Sequence, residues 1–307
     1  MSNHLDPQLI PASVPLGGRT PAGEEQATPV QSTGRASIPL LEAVRDHAEI
    51  SGMLEMADEF LASQGFTEHG FRHANLVGHI AYNVLTHLGF DQRLAELGAV
   101  SGYLHDIGNV VSRSQHGQSS GLIAFTILRE LDVPIRDIAH VMGAAGNHEE
   151  QYGVAVSPVS AAVIVADKSD VHRSRVRDSG DIEGDIHDRV NFAVTSSFLR
   201  VSDRIEPRDP QHDQAELEAG AKADLEVARA AQRRTEEGLL PDELPSPHPT
   251  HLIVPSKTLT LELEVDTTVT PVFEYFEIFM ERMVMCRRAG RTLGAEFKIT
   301  VNDVPVL

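Results

Sequence analysis

The chain has 307 residues, of which 41% are hydrophobic, and its 45 acidic residues against 26 lysines and arginines set a formal net charge of −19. This acidic balance excludes tight binding to a nucleic acid duplex, which needs basic surface. The single cysteine, Cys286, excludes an internal disulfide and a zinc site built on cysteines. Without a run of about 18 apolar residues or a secretory signal, we expect a cytoplasmic protein that does not associate with membranes.

Most of the chain carries the apolar spacing of amphipathic helices. Residues 1–36 are rich in Pro, Gly, Ser, Thr and Gln and are predicted to be a disordered tail. A helical domain is predicted over 37–202, with Gly65 and Gly89 as helix stops and Ser157-Pro158 as a helix start. Its helices are expected near 38–60, 73–88, 92–106, 117–131, 135–145, 157–167 and 186–199.

Two segments of different character follow the helical domain. Residues 203–250 are rich in acidic residues, proline and alanine and are predicted to be a mobile linker or insertion. Residues 251–307 predict a strand at Lys257–Asp266, a helix starting at Thr270-Pro271 and a strand at Glu296–Val301, with the two strands parallel. The expected fold is mainly α, a helical bundle followed by a small C-terminal β-α-β unit. Because two strands alone are marginally stable, this unit should pack on the bundle or pair with its counterpart in a homodimer.

Metal-ligating residue types recur on the inner faces of the predicted helices. His73 and His105 lie on the apolar faces of their helices, and Asp167 follows Val163 by four residues. With the residues that open and close neighbouring helices, the predicted ligand set is His73, His105, Asp106, His116, His148 and Asp167. Four imidazoles and two carboxylates without sulfur suit divalent ions such as Mn²⁺, Fe²⁺, Ni²⁺ or Zn²⁺, and Mg²⁺ is a further candidate.

Six ligands fit two ions if Asp106 bridges them. We assign His73, His105, Asp106 and Asp167 to one ion, and Asp106, His116 and His148 to the other. Two ions about 3.5–4 Å apart can hold a bridging hydroxide that attacks phosphorus, so the chain needs no nucleophile of its own. The sequence therefore predicts a dinuclear site with Asp106 at its centre.

These residues resemble a known signature. His73, His105-Asp106 and Asp167, in the contexts "FRHANLV", "LHDIGN" and "VADKSD", are similar to the H…HD…D motif of the HD superfamily of metal-dependent phosphohydrolases. His116 in "QHGQSSG" and His148 in "GNHEE" resemble its dinuclear branch, which includes diadenosine-tetraphosphate hydrolases and cyclic-dinucleotide phosphodiesterases. The resemblance covers about 65–199 and implies an all-helical fold that hydrolyses a phosphate ester or anhydride. The paired histidines and the GYP motif of the cyclic-dinucleotide branch are absent, which disfavours cyclic di-GMP.

Basic residues beside the predicted ligands suggest a small anionic substrate that contains phosphate, such as a nucleotide or dinucleotide. Arg72 and Lys168 are each adjacent to a ligand and would neutralise substrate phosphate or support the ligands from behind. Arg173 and Arg175 are expected at the mouth of the pocket, where they would attract the substrate. Asp106 and Lys168 are the predicted catalytic residues. The role of His69, four residues before His73, stays open between a structural residue, a ligand of a further metal ion and a substrate contact.

Two other functions are compatible with the same residues. A set of four histidines and two aspartates on this fold also resembles mixed-valent di-iron oxygenases, and oxygen consumption by iron-loaded protein would indicate that chemistry. Alternatively, the site is a metal or nucleotide sensor without turnover, with the C-terminal unit contacting a partner. Tight nucleotide binding without hydrolysis would indicate the sensor.

Overall fold

The computed structural model describes residues 9–11, 37–203 and 257–306. As expected, the described chain is mainly helical and carries one small sheet. Short 3-10 helices lie at Ile107–Val110 and Arg173–Arg175. The α-helices are α1 (Pro39–Arg45), α2 (Ala48–Ser63), α3 (Phe71–His87), α4 (Gln92–Leu104), α5 (His116–Glu130), α6 (Ile135–Gly146), α7 (Pro158–Lys168), α8 (Ile186–Ala193) and α9 (Val272–Thr292).

Helix α7 lies at the centre of the molecule. Every residue from Val159 to Ala166 is buried, so this part of the helix is buried on all sides, as expected for a helix surrounded by other elements. It packs against α3, α4, α6 and α9. The predicted helix start is confirmed: Pro158 is the first helical residue, and the Ser157 hydroxyl accepts a hydrogen bond from the main-chain N–H of Ser160 at 3.1 Å.

Helices α3 and α4 approach each other closely through glycines. A Cβ atom on Gly102 of α4 would lie 2.8 Å from the main chain of Gly78 in α3, which is too close for any larger side chain. This contact brings the start of α3 next to the end of α4. The two helix ends carry His73 and His105, so the glycine contact sets the distance between these histidines.

The sheet has five strands in the order β1 (Leu9–Pro11), β2 (Val194–Asp203), β3 (Lys257–Val265), β4 (Ala295–Val301) and β5 (Val304–Pro305). Strands β3 and β4 are parallel and α9 connects them, which confirms the predicted strand-helix-strand unit. The other neighbouring strands pair antiparallel. Helix α9 packs on both α7 and β4, so the C-terminal unit lies on the helical bundle. This is the first of the two arrangements that the sequence predicts for the unit.

The prediction of a helix over 186–199 is wrong beyond Ala193. Helix α8 ends there and the chain continues directly as β2. The reason is the alternation in this segment, where Ser197, Leu199 and Val201 are buried and their neighbours are more exposed. Strand β2 pairs with β3 along its whole length, so a segment assigned to the helical domain belongs to the C-terminal sheet.

Two predicted segments lie largely outside the described residues. Of the predicted disordered tail, 1–36, only Leu9–Pro11 is described, and these three residues form β1 against β2, which corrects the prediction at that point. Of the predicted acidic linker, 203–250, only Asp203 is described, at the end of β2. None of the described helices combines the length and apolar character that a bilayer crossing requires.

Candidate metal centre

The structure brings all six predicted ligands together. His73 lies in the first turn of α3, His116 opens α5, and Asp167 lies in the last turn of α7. His105 and Asp106 follow the end of α4, and His148 follows α6 by two residues. The four histidines and Asp106 are buried, and Asp167 is slightly exposed. Two groups have ligand atoms within 4.8 Å of one another: His73, His105 and Asp167, and His105, Asp106 and His148.

One half of the site contains His73, His105 and Asp167. The Nε2 atoms of the two histidines are 3.2 Å apart. Asp167 Oδ1 lies 3.4 Å from His73 Nε2 and 3.7 Å from His105 Nε2. Asp106 Oδ2 lies 3.5 Å and 3.3 Å from the same two nitrogens. Four ligand atoms therefore surround one point.

The other half contains His116 and His148, whose Nε2 atoms are 3.0 Å apart. Asp106 Oδ1 lies 2.9 Å from His116 Nε2 and 3.4 Å from His148 Nε2. Each carboxylate oxygen of Asp106 thus faces a different pair of histidines. This is the arrangement that a carboxylate bridging two ions requires.

The distances fit metal coordination. Ligands about 2.1 Å from one ion are about 3.0 Å apart in an octahedron and about 3.4 Å apart in a tetrahedron. The histidine and carboxylate atoms above are separated by 2.9–3.7 Å. The six side chains therefore need little movement to hold metal ions.

Hydrogen bonds at Nδ1 determine which ring nitrogen carries the proton in the neutral histidines. Three rings donate a hydrogen bond from Nδ1 to a main-chain carbonyl three residues earlier: His105 to Gly102 at 2.7 Å, His116 to Arg113 at 2.9 Å and His148 to Ala145 at 2.7 Å. A carbonyl can only accept, so in the neutral ring Nε2 carries a lone pair toward the centre. Lone pairs that face each other at 3.0–3.2 Å repel, and a cation between them removes the repulsion.

Protons and carboxylates balance charge at this site in the metal-free chain. Burial disfavours protonation of His105, but Asp106 and Asp167 outweigh it and raise the pKa of His105 to about 10. Burial likewise opposes protonation of His116, and Asp106 and Glu149 together raise its pKa to about 9. Burial and the neighbouring histidines lower the pKa of His148. Metal ions bind deprotonated imidazole rings, so metal binding at these histidines would release protons.

The carboxylate of Asp170 supports the site from behind. It is fully buried and accepts a hydrogen bond from His73 Nδ1 at 2.7 Å, which directs His73 Nε2 toward the centre. Arg72, for which the sequence left open substrate contact or support of the ligands, forms ion pairs with Asp170 at 2.8 Å and Glu68 at 2.9 Å. Arg175 is buried and lies 3.7 Å from the same Asp170 carboxylate. Burial opposes the ionised form of Asp170, but the two arginines hold its pKa far below the usual range.

Lys168 is also held behind the ligands. Its Nζ lies 2.7 Å from Asp167 Oδ2 and 3.2 Å from Glu150 Oε1. Burial opposes ionisation of Glu150, yet Lys168 and Arg282 lower its pKa to about 2. These contacts fit the second of the two roles that the sequence left open for Lys168, the support of a ligand from behind.

The remaining predicted arginine, Arg173, lies at the surface. It is exposed, and its guanidinium lies 5.2 Å from the centroid of the Phe192 ring. His69 lies beside the centre: its ring is edge-on to that of His73 at 5.5 Å, and its Nδ1 donates to the Thr67 carbonyl at 2.7 Å. Burial lowers the pKa of His69 well below its usual value, and the charge of Arg175 acts in the same direction.

Sequence reasoning missed four supporting residues. Asp170 follows Asp167 by three residues, and Glu149 and Glu150 directly follow His148, so nearness to the ligands was a usable signal for them. Glu149 Oε2 lies 3.2 Å from His116 Nδ1. Arg282, which lies 2.7 Å from Glu150, carries no such signal, because it belongs to a helix far along the chain.

No family model, no curated protein and no solved structure matches this chain. The resemblance to HD phosphohydrolases therefore depends on the quoted motif residues. The convergence of His73, His105, Asp106, His116, His148 and Asp167 is a separate observation, because it follows from the geometry of the fold.

Proposed function

We propose that this chain is a metal-dependent phosphohydrolase that uses two divalent ions to cleave a phosphate ester or anhydride in a small anionic substrate, such as a nucleotide or dinucleotide. The observation that supports it most is the position of Asp106, with Oδ2 near His73 and His105 and Oδ1 near His116 and His148. The motif resemblance to HD phosphohydrolases supports the reaction class.

In this proposal each half of the site holds one ion. His73, His105 and Asp167 bind one, His116 and His148 bind the other, and Asp106 is shared. Ions of this kind supply Lewis-acid charge and lower the pKa of water enough to make it a nucleophile near neutral pH. The four imidazoles favour Mn²⁺, Fe²⁺, Ni²⁺ or Zn²⁺ over Mg²⁺, which prefers oxygen ligands.

Arg113 and His69 are the candidates for direct contact with the substrate. Arg113 lies over the Phe66 ring at 5.2 Å and donates to the Asn109 amide oxygen at 3.3 Å. Its main-chain carbonyl accepts the hydrogen bond from His116 Nδ1 at 2.9 Å, so Arg113 lies beside the second half of the site. Because Arg72, Lys168 and Arg175 contact carboxylates, Arg113 is better placed to bind a phosphate group.

Metal content and hydrolysis test the proposal together. The purified chain, stripped by a chelator and reloaded with Mn²⁺, is expected to retain close to two ions and to hydrolyse at least one member of a panel of nucleotides, dinucleotides and a generic phosphodiester. Asp106→Ala removes the shared ligand, so activity should fall by more than about 100-fold, since outer contacts alone cost 10–100-fold. Asp178→Ala, at an exposed aspartate, is the matched control.

Four results would contradict the proposal. Wild-type protein that retains no metal and hydrolyses nothing on the panel excludes it, and an Asp106→Ala variant with normal metal content excludes the shared ligand. Oxygen consumption by the iron-loaded chain without hydrolysis would indicate an oxygenase. Nucleotide binding without turnover would indicate a sensor.

A further inference from the structure

A network of ion pairs connects the metal centre with the C-terminal unit. Asp167 presents Oδ1 to the histidines, and its Oδ2 accepts a hydrogen bond from Lys168 Nζ at 2.7 Å. Lys168 Nζ lies 3.2 Å from Glu150 Oε1, and Arg282 Nε lies 2.7 Å from the same oxygen. Arg282 belongs to α9, so a helix outside the ligand-bearing bundle reaches the centre through three successive contacts.

The network becomes more buried from Arg282 to Lys168. The side chain of Arg282 is 29% exposed, that of Glu150 14% and that of Lys168 5%. Charges in such surroundings are stable only when each is paired. Without Arg282, Glu150 would have Lys168 as its main counter-charge and would draw the ammonium group away from Asp167.

Arg282 is itself held in place. Its guanidinium lies 4.7 Å from the centroid of the Phe279 ring, one turn earlier on α9, and Phe279 is fully buried. Helix α9 packs on α7, the helix that carries Asp167 and Lys168. The guanidinium is therefore fixed relative to the ligand that it influences.

We infer that Arg282 is a positioning residue of the metal centre, which acts through Glu150 and Lys168 to fix the oxygen that Asp167 turns toward His73 and His105. The inference rests on the metal binding in the proposed function and not on the substrate. Contacts behind a metal ligand typically change metal affinity by about 10–100-fold. An effect near the lower end is expected, because Arg282 acts through two intermediate side chains.

The experiment compares variants of the full chain in binding Mn²⁺ and Co²⁺. Mn²⁺ affinity is measured by competition with a fluorescent chelator, and the visible bands of bound Co²⁺ report its ligand geometry. Arg282→Met should weaken Mn²⁺ binding by about 10-fold and shift the Co²⁺ bands, and Arg282→Lys should restore most of both. Arg287→Met, at an exposed arginine of the same helix, is the matched control and should change neither.

Glu150→Gln tests the same network without shortening a side chain. It should shift the Co²⁺ bands as Arg282→Met does. Because the two side chains act in series, the double variant, Arg282→Met with Glu150→Gln, should bind Mn²⁺ no more weakly than whichever single variant has the lower Mn²⁺ affinity. Losses that multiply in the double variant, or an Arg282→Met variant with wild-type affinity and spectrum, would overturn the positioning role. If the wild-type chain binds neither ion, the proposed function falls together with this inference.

Discussion

At the scale of single residues, the orientation of the four histidines depends on hydrogen bonds made by the ring nitrogens that face away from the centre. The Nδ1 atoms of His73, His105, His116 and His148 each donate to a fixed acceptor, so all four Nε2 atoms point inward without rotation. Three of the acceptors are carbonyls three residues earlier, which are local and insensitive to side-chain substitution. Only His73 depends on a side chain, Asp170, for this support.

Asp170→Asn is therefore expected to have two effects. Metal affinity should fall by about 10–100-fold, because a neutral amide holds His73 Nδ1 less firmly than a carboxylate does. The free energy of unfolding should fall by about 3–5 kcal/mol, because Arg72 and Arg175 lose a buried counter-charge. Chelator competition measures the first effect and urea denaturation the second.

Asp178→Asn, at an exposed aspartate, serves as the control for Asp170→Asn. It should leave both metal affinity and stability unchanged. An Asp170→Asn variant with wild-type metal affinity would show that the Asp170 carboxylate does not position His73.

At the scale of elements, the close crossing of α3 and α4 sets the distance between His73 and His105. Gly102→Ala would place a Cβ 2.8 Å from the main chain of Gly78, so the helices must separate. Overpacking of this kind costs about 1–3 kcal/mol. The variant should be less stable to urea and should also bind Mn²⁺ more weakly, because His105 moves away from His73.

Gly52→Ala in α2 is the matched control for the helix crossing. A Cβ at Gly52 meets nothing within 4 Å, so the variant should gain about 0.5–1 kcal/mol from the better helix propensity of alanine. Equal effects of the two substitutions on stability and on metal binding would contradict the role of the crossing.

The sequence predicted local features of these elements well and distant contacts poorly. The helix start at Ser157-Pro158 and the parallel pair β3 and β4 follow from nearest-neighbour chemistry and periodicity. Strand β2 was missed because the apolar spacing of α8 continues into it and hides the change of period. Its partner β3 lies far along the chain, so no local sequence pattern indicates that the two strands pair.

The same contrast between local features and distant contacts applies to the candidate metal centre. The six ligands were predicted from residue type, helical face and motif resemblance, and the structure brings them together. The basic residues Arg72, Lys168 and Arg175 were predicted near the site, but which carboxylate pairs with which basic residue could not be deduced. Those partners depend on how α3, α7 and the following loop pack, which the sequence does not specify residue by residue.

At the scale of the whole molecule, the metal-free chain should show a distinctive dependence of stability on pH. The pKa values of His105 and His116, about 10 and about 9, lie above the value of about 6.5 expected in the unfolded chain. Their contribution is fully present below about pH 6.5 and is lost as pH rises through 9 to 10. Urea denaturation of chelated protein should therefore show stability falling over this range.

Metal affinity should change in the opposite direction over the same range. Protons compete with metal for the Nε2 atoms, so Mn²⁺ binding is expected to tighten as pH rises from about 6.5 to 9. Asp106→Asn removes the carboxylate that raises both pKa values and should flatten the stability profile of the metal-free chain. A wild-type profile without any decline up to pH 10 would contradict the assigned charge states.

The contact between Arg282 and Glu150 forms late, because Arg282 is synthesised long after the predicted ligands. During synthesis, the last predicted ligand, Asp167, emerges roughly 115 residues before Arg282. At about 5–20 residues per second, that interval is about 6–23 s. A nascent chain thus has its complete ligand set before it has α9, and an ion captured in this interval meets an Asp167 that the C-terminal helix does not yet hold. If the chain binds metal as proposed, loading after α9 has docked would let the ion meet Asp167 in its final orientation.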